Sequence, residues 1–272
     1  MNSATLRALD FDRVVEAVRS FALTPLGSTA LSDLKPQTEL RLVKELLATT
    51  SEGVDYLTDN SAFPLESPDD INTIVNTLAV QDRILEPFQL KGLSRLLSST
   101  NTVRAQLKNA SGGPYPSLQA VISSARSFEA EIYEVNKAIN EQGCVVDTAT
   151  PQLKNIRARL QRQRQRLRST LESYLRGRDT SRYLQEKVIS ERNGRFVLVV
   201  RSEHRNAIPG IVHGSSGRGA SLFLEPLSTV EINNEIVSLE DAEMKELHRI
   251  LLELSNSFRK RALDLRHTLA AI

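Results

Sequence analysis

The chain has 272 residues, 40% hydrophobic and only 5% aromatic, with a net charge of +2; that suits one large or two modest domains, built from long helices rather than all β. Its single cysteine, Cys144, excludes an intramolecular disulfide and a cysteine-based zinc site, as expected in a reducing compartment. No apolar run approaches the roughly 20 residues that span a bilayer, and the start, with Arg7 and Asp10 early, lacks a signal-peptide core, so a cytoplasmic protein without a membrane partner is expected.

Leu6, Leu9, Val14, Val18 and Phe21 recur at helical spacing up to Thr24-Pro25-Leu26-Gly27, and a short helix follows to Leu34. Thr38 opens a helix to about Leu57, with Leu42, Leu46 and Leu47 as its apolar stripe. Ser67-Pro68-Asp69-Asp70 reads as a helix start, with carboxylates near the positive end. Glu86-Pro87 starts another, with Leu90, Leu93, Leu96 and Leu97 on one face; Ser111-Gly112-Gly113-Pro114 is a loop, and Gly143 ends the next helix. Cys144 to Asp147 is a short extended bridge.

Thr150-Pro151 then caps a long arm helix whose seam is Leu153, Ile156, Leu160, Leu167, Leu171 and Leu175, with polar Gln163 in the gap. Phe196-Val197-Leu198-Val199-Val200 is strongly strand-like. Pro209-Gly210 punctuates, Ile211-Val212-His213 resumes, and Gly214 to Gly219 turns the chain into the strand Ser221-Leu222-Phe223-Leu224. Asn233 reads as the N-cap of a return arm whose seam runs through Ile236, Leu239, Leu247, Ile250, Leu254, Phe258, Leu265 and Leu269. That helix reads as unfinished at Ile272, so its last turns are expected to fray. The expected fold is mainly α: a helical core and lever over residues 1–145, then a clamp region over 146–272. In the clamp, an arm helix of about 150–187 and a return arm of about 233–272 run antiparallel and carry a small β tip of about 192–232.

Charge is unevenly spread: residues 1–150 hold 13 Lys and Arg against 19 Asp and Glu, and residues 151–272 hold 22 against 14. A basic second half points to a polyanion. Between Lys154 and Arg182 ten basic residues face two acidic ones, a composition fit for phosphate-backbone contact. The same arginines could instead pair with the six carboxylates of residues 235–253 across the arms, where exposed pairs contribute little each. Arg192, Arg195, Arg201, Arg205 and Arg218 outnumber the lone Glu203 over residues 192–218. Arg195, Arg201, Arg205 and Arg218 are the favoured nucleic-acid contacts. Gly214-Ser215-Ser216-Gly217-Arg218-Gly219 lacks the lysine and the following helix of a phosphate-binding loop and reads as a hairpin turn. His204, His213, His248 and His267 have no metal-pair spacing and read as surface or structural residues. No nucleophile, base and acid set is visible, so no catalytic, cofactor or metal residue is assigned.

Arg192-Asn193-Gly194-Arg195-Phe196-Val197, Ile208-Pro209-Gly210-Ile211-Val212-His213, Gly219-Ala220-Ser221-Leu222-Phe223-Leu224-Glu225-Pro226 and Val230-Glu231-Ile232-Asn233-Asn234-Glu235 closely resemble the middle of the second bacterial branch of the MutS family. Leu6 to Phe11 and Thr24-Pro25-Leu26-Gly27 are similar to that branch's start, and Asn140-Glu141-Gln142-Gly143 with Val146-Asp147-Thr148-Ala149 to its entry into the clamp arm. The resemblance implies a homodimeric protein with core, lever and clamp, an ATPase using ATP and Mg, and usually an Smr nuclease domain. It also implies binding to mismatched or branched DNA, restraint of homologous recombination, and action on stalled ribosomes through rRNA. The ATPase and nuclease regions lie outside these residues. The rival reading is a structural module for dimer assembly and allosteric leverage without direct nucleic-acid contact.

Overall fold

The computed structural model describes residues 6, 8–60, 62–109, 115–177, 180–217 and 219–272. The expected loop Ser111 to Pro114 and the candidate Arg218 lie outside the described residues. The architecture is mainly α, with one small antiparallel sheet. Two compact units divide it: residues 1–146 with 249–272, and residues 147–248.

The first unit contains α1 (Phe11–Arg19), α2 (Pro25–Ser32), α3 (Leu40–Asn60), α4 (Ile71–Leu78), α5 (Pro87–Asn109), α6 (Pro116–Ser123) and α7 (Glu129–Ala138). Thr24 caps α2 as its sequence suggests, its hydroxyl accepting from Gly27 N at 3.0 Å, with Pro25 at the first position. The leucine stripe of α5 is core: Leu90, Leu93, Leu96 and Leu97 are all at most 2% exposed. Tyr56 stacks on Phe63 and meets Tyr115 edge-on, closing a second cluster with Val103, Leu107 and Ile122. The stripes of α1 and α3 are different. No residue of α1 is buried, and in α3 only Tyr56 is.

The second unit contains α8 (Pro151–Leu175), the single turn α9 (Thr180–Tyr183), β1 (Leu184–Arg192), β2 (Arg195–Arg201), β3 (Gly210–Ser215) and β4 (Ser221–Pro226), and the part of α10 (Leu227–Lys260) up to His248. Thr150 caps α8, accepting from Leu153 N at 3.0 Å. The helices run antiparallel: Thr150 bonds Glu246, Arg157 bonds Glu243 and Tyr174 bonds Ser228. Ile156, Leu160, Leu167 and Leu171 of α8, Ile232, Ile236 and Leu239 of α10, and Leu184, Leu198, Val200, Ile208 and Leu224 of the sheet region form one continuous core. At about 1.5–3 kcal/mol per buried leucine-sized side chain, that core is what holds arms and sheet together. The polar seam residue Gln163 leaves its side-chain carbonyl oxygen buried without a hydrogen-bond partner among the described residues.

Four boundaries differ from the sequence reading. The helix expected to end at Gly143 is two helices, α6 and α7, the second ending at Ala138, and Gly143 (φ 75°) instead lies in the turn between the bridged Ile139 and Val145. The arm helix ends at Leu175, not near 187, because Arg176-Gly177 breaks it and residues 184–192 pair with β2 as a strand. The return helix starts at Leu227, directly after β4; Asn233 is not its cap but is buried, its amide bonded to the Phe196 backbone and to Glu225. The return arm is not one helix to the chain end. Arg261 leaves helical geometry as it pairs with Glu131 and Asp264 and lies 4.1 Å from the Phe128 ring centroid, and α11 (Ala262–Ala270) follows. Residues 249–272 pack with the first unit rather than as an arm: Ser255 accepts from Leu85 N, Thr268 from Arg126 N, and Ala271 and Ile272 lie against the Tyr56 cluster. The terminal residues are therefore packed, and the seam expected at Leu254 and Leu269 belongs to that unit.

Candidate nucleic-acid interface

The sheet order is β1-β2-β4-β3, all antiparallel. Side chains alternate across a strand. In β2, Phe196, Leu198 and Val200 face the helical core, so Arg195, Val197, Val199 and Arg201 share the other face. The Asn193-Gly194 turn, with both residues at positive φ (51° and 71°), returns β1 so that Arg192 lies opposite Arg195. Arg192, exposed, joins this face with its guanidinium carbon 4.1 Å from the centroid of the half-buried Phe223 ring on β4. Ser221, opposite Arg201, lies there too.

A buried carboxylate organises one end of this face. Glu225 is 0% exposed. Its oxygens accept from Arg195 at 2.9 and 3.2 Å and from Asn233 Nδ2 at 2.8 Å, and Oε2 lies 2.6 Å from His213 Nε2. Arg195 also donates to Asn234 at 2.5 Å. One side chain thus ties β2, β3, β4 and the start of α10 together. The close approach of β3 and β4 requires Gly210: a Cβ there would fall 2.4 Å from the Glu225 carbonyl oxygen.

The favoured arginines therefore have separate fates. Arg195 is spent on Glu225 and Asn234. Arg201 is half-buried and donates from Nε to the Leu184 carbonyl at 3.4 Å, and Arg205 is exposed on the turn after β2. Neither has a carboxylate partner among the described residues. Along α8, Arg157, Arg159 and Arg164 pair with α10 carboxylates, and Arg168 and Arg176 share Glu172. Arg162 and Arg166, one turn apart, have no ion pair among the described residues. Arg192 and Phe223 were not favoured from sequence, although Asn-Gly before a strand is a hairpin signal that places residue 192 beside 195. His213 was read as a surface or structural residue, and it is a partner of Glu225.

Glycines 214 to 219 join β3 to β4, strand to strand, where a phosphate cradle needs a helix N-terminus. Among the described residues no group of three or more His, Cys, Asp and Glu is gathered as a metal site, and no helix is long and apolar enough to cross a membrane.

No family model matches the chain. It is 33% identical to endonuclease MutS2 of Symbiobacterium thermophilum over 100% of its own length, 34% of that protein's. It is 32% identical to endonuclease MutS2 of Ruminiclostridium cellulolyticum over 94% of its length and 32% of the relative's, and 33% identical to that of Thermotoga maritima over 98% and 34%. The chain thus spans about a third of the length of the curated relatives it matches, and over that shared third it is similar to the endonucleases MutS2.

Proposed function

We propose that residues 147–248 are a clamp that grips nucleic acid by its phosphate backbone without reading sequence. The observation that carries this reading is the sheet face turned from the helical core: Arg192, Arg201 and Arg205 stand on or beside it with no carboxylate partner among the described residues. Arg162 and Arg166 on α8 likewise have no ion pair among the described residues. Phosphate contact needs such unneutralised cations in number, not a particular base-reading side chain.

Duplex, branched or mismatched DNA is the target proposed, with ribosomal RNA sharing the same phosphate chemistry. Restraint of recombination, rescue of stalled ribosomes, homodimerisation and cytoplasmic location are proposed for the whole protein. So are ATP and Mg use and nuclease action, which would belong to regions outside these 272 residues. The alternative, a purely structural lever, draws support from the internal pairing of Arg157, Arg159, Arg164 and Arg195.

Reversing Arg201 and Arg205 to Glu separates the two. Each phosphate contact contributes about 0.9 to the slope of log affinity against log salt. The double variant should weaken duplex binding and flatten that slope by about 2. Wild-type affinity and slope in the variant would favour the lever.

A further inference from the structure

Within the nucleic-acid grip just described, on which this inference rests, we propose that Arg192 and Phe223 form a stacking platform for an unpaired base, so that the clamp prefers single-stranded segments at branch points to continuous duplex.

The geometry separates this pair from the other cations. Arg192 ends β1 beside the hairpin turn and is exposed. Its guanidinium lies over Phe223, 4.1 Å from the ring centroid, and it has no carboxylate partner among the described residues. Phe223 is flanked on the same face by its in-register partner Val199, which is only 6% exposed. The ring thus covers one side of the guanidinium, while the arginine as a whole remains exposed. Guanidinium planes and aromatic rings are the surfaces on which splayed bases stack. Arginine is also weakly hydrated, so covering its outer face costs less than covering an ammonium. A base inside a duplex is already stacked and cannot reach the platform; a base in a flap, gap or branch can. Arg201, at the far end of β2 from the partner of Arg192, and Arg205 on the following turn are left to hold phosphates, which supplies affinity while the platform supplies preference. Single-stranded DNA and RNA offer the same base faces.

Two substitutions isolate the stack from the charge. Arg192→Lys keeps the cation and removes the plane; Phe223→Leu keeps the apolar area and removes the ring. Fluorescence anisotropy of the 272-residue chain is measured with single-stranded DNA, single-stranded RNA of the same sequence, and duplex DNA at one salt concentration. A 2-aminopurine in the single strand reports stacking directly. Base stacking on such platforms carries on the order of tenfold in affinity. Both variants should bind the single strands about tenfold more weakly and duplex within about twofold of wild type, with an unchanged salt slope and loss of the 2-aminopurine quench. Equal loss on single strand and duplex, or no loss on either with the quench retained, overturns the platform and leaves the grip standing. Failure of the wild-type chain to bind any of the three overturns both. A loss on DNA but not RNA, or the reverse, names the source of the base. Far-UV circular dichroism of each variant establishes that the fold is kept, and Arg192→Lys, an exposed change, remains readable if Phe223→Leu unfolds.

Discussion

Glu225 makes the sharpest stability prediction. It is 0% exposed, and Arg195, His213 and Asn233 all direct hydrogen-bonding nitrogens at its carboxylate, at 2.6 to 3.2 Å. Glu225→Ala removes the acceptor and leaves the Arg195 guanidinium facing a hole, with Asn234 as its remaining partner. Breaking a fully buried pair costs about 3–5 kcal/mol. Arg195 keeps 25% of its side chain exposed, so water recovers part of that loss, and a cost of about 2–4 kcal/mol is expected. Against a total of about 5–15 kcal/mol that is a large share. Glu203→Ala, whose carboxylate is 70% exposed, serves as the control and should change stability by less than about 0.5 kcal/mol. Because the chain has two compact units, hydrogen exchange followed by mass spectrometry is the assay, read on peptides covering β2, β3 and β4. Their protection should fall by roughly 30-fold or more, while α5 keeps its own. Arg195→Met and Glu225→Ala should also be non-additive, since both cut the same bond. If Glu225→Ala leaves the sheet peptides as protected as the control does, the buried carboxylate is not the tie that holds the sheet to α10.

Other outcomes follow from single contacts. Gln163→Leu should stabilise the α8–α10 pair by about 1–2 kcal/mol, since it replaces a buried, unpartnered oxygen by apolar volume; slower exchange in both helices checks it, and faster exchange counts against the seam. Gly210→Ala should destabilise the sheet, because a Cβ would press on the Glu225 carbonyl oxygen from 2.4 Å; protease sensitivity at residues 205–226 reads it. In the first unit, hydrogen bonds from Lys91 and Arg95 hold the Glu141 carboxyl below its ordinary value, against the opposing effect of desolvation. A depressed carboxylate stabilises the fold above the unfolded-state value and loses that contribution as pH falls through the folded one. Thermal melts on acidification should therefore show a shallower decline for Glu141→Gln than for wild type, and parallel curves would remove the ion pair from the account.

Much of the mainly α fold was legible because its signals are local. Thr24-Pro25, Glu86-Pro87 and Thr150-Pro151 each announce a helix start within a few residues, and the leucines of α5 and α8 recur at helical spacing. The end of α8 was not legible by periodicity. Leu184 to Arg192 has no clean alternation, since β1 slips register between Leu184 and Ile189 and is strand only because β2 pairs with it. Asn233 carries the residue type of a cap yet serves a contact eight residues away in sequence. The continuous stripe of the last helix hid its division between units, because a leucine seam does not state which neighbour covers it. In the candidate site the cationic surplus was visible, but its neutralisation was not. Arg195 meets Glu225 thirty residues on, and Arg164 meets Glu240 across the arms. Such pairings depend on tertiary register, which composition does not encode.

The most direct measurement is the affinity of the unmodified 272-residue chain for duplex DNA over a series of salt concentrations. The proposed grip predicts measurable binding at low salt and a line of log affinity against log salt with slope of about −3 or steeper, from Arg192, Arg201, Arg205 and the arm cations together. A slope near zero, or no binding at the lowest salt, would contradict a clamp that holds nucleic acid by its phosphates.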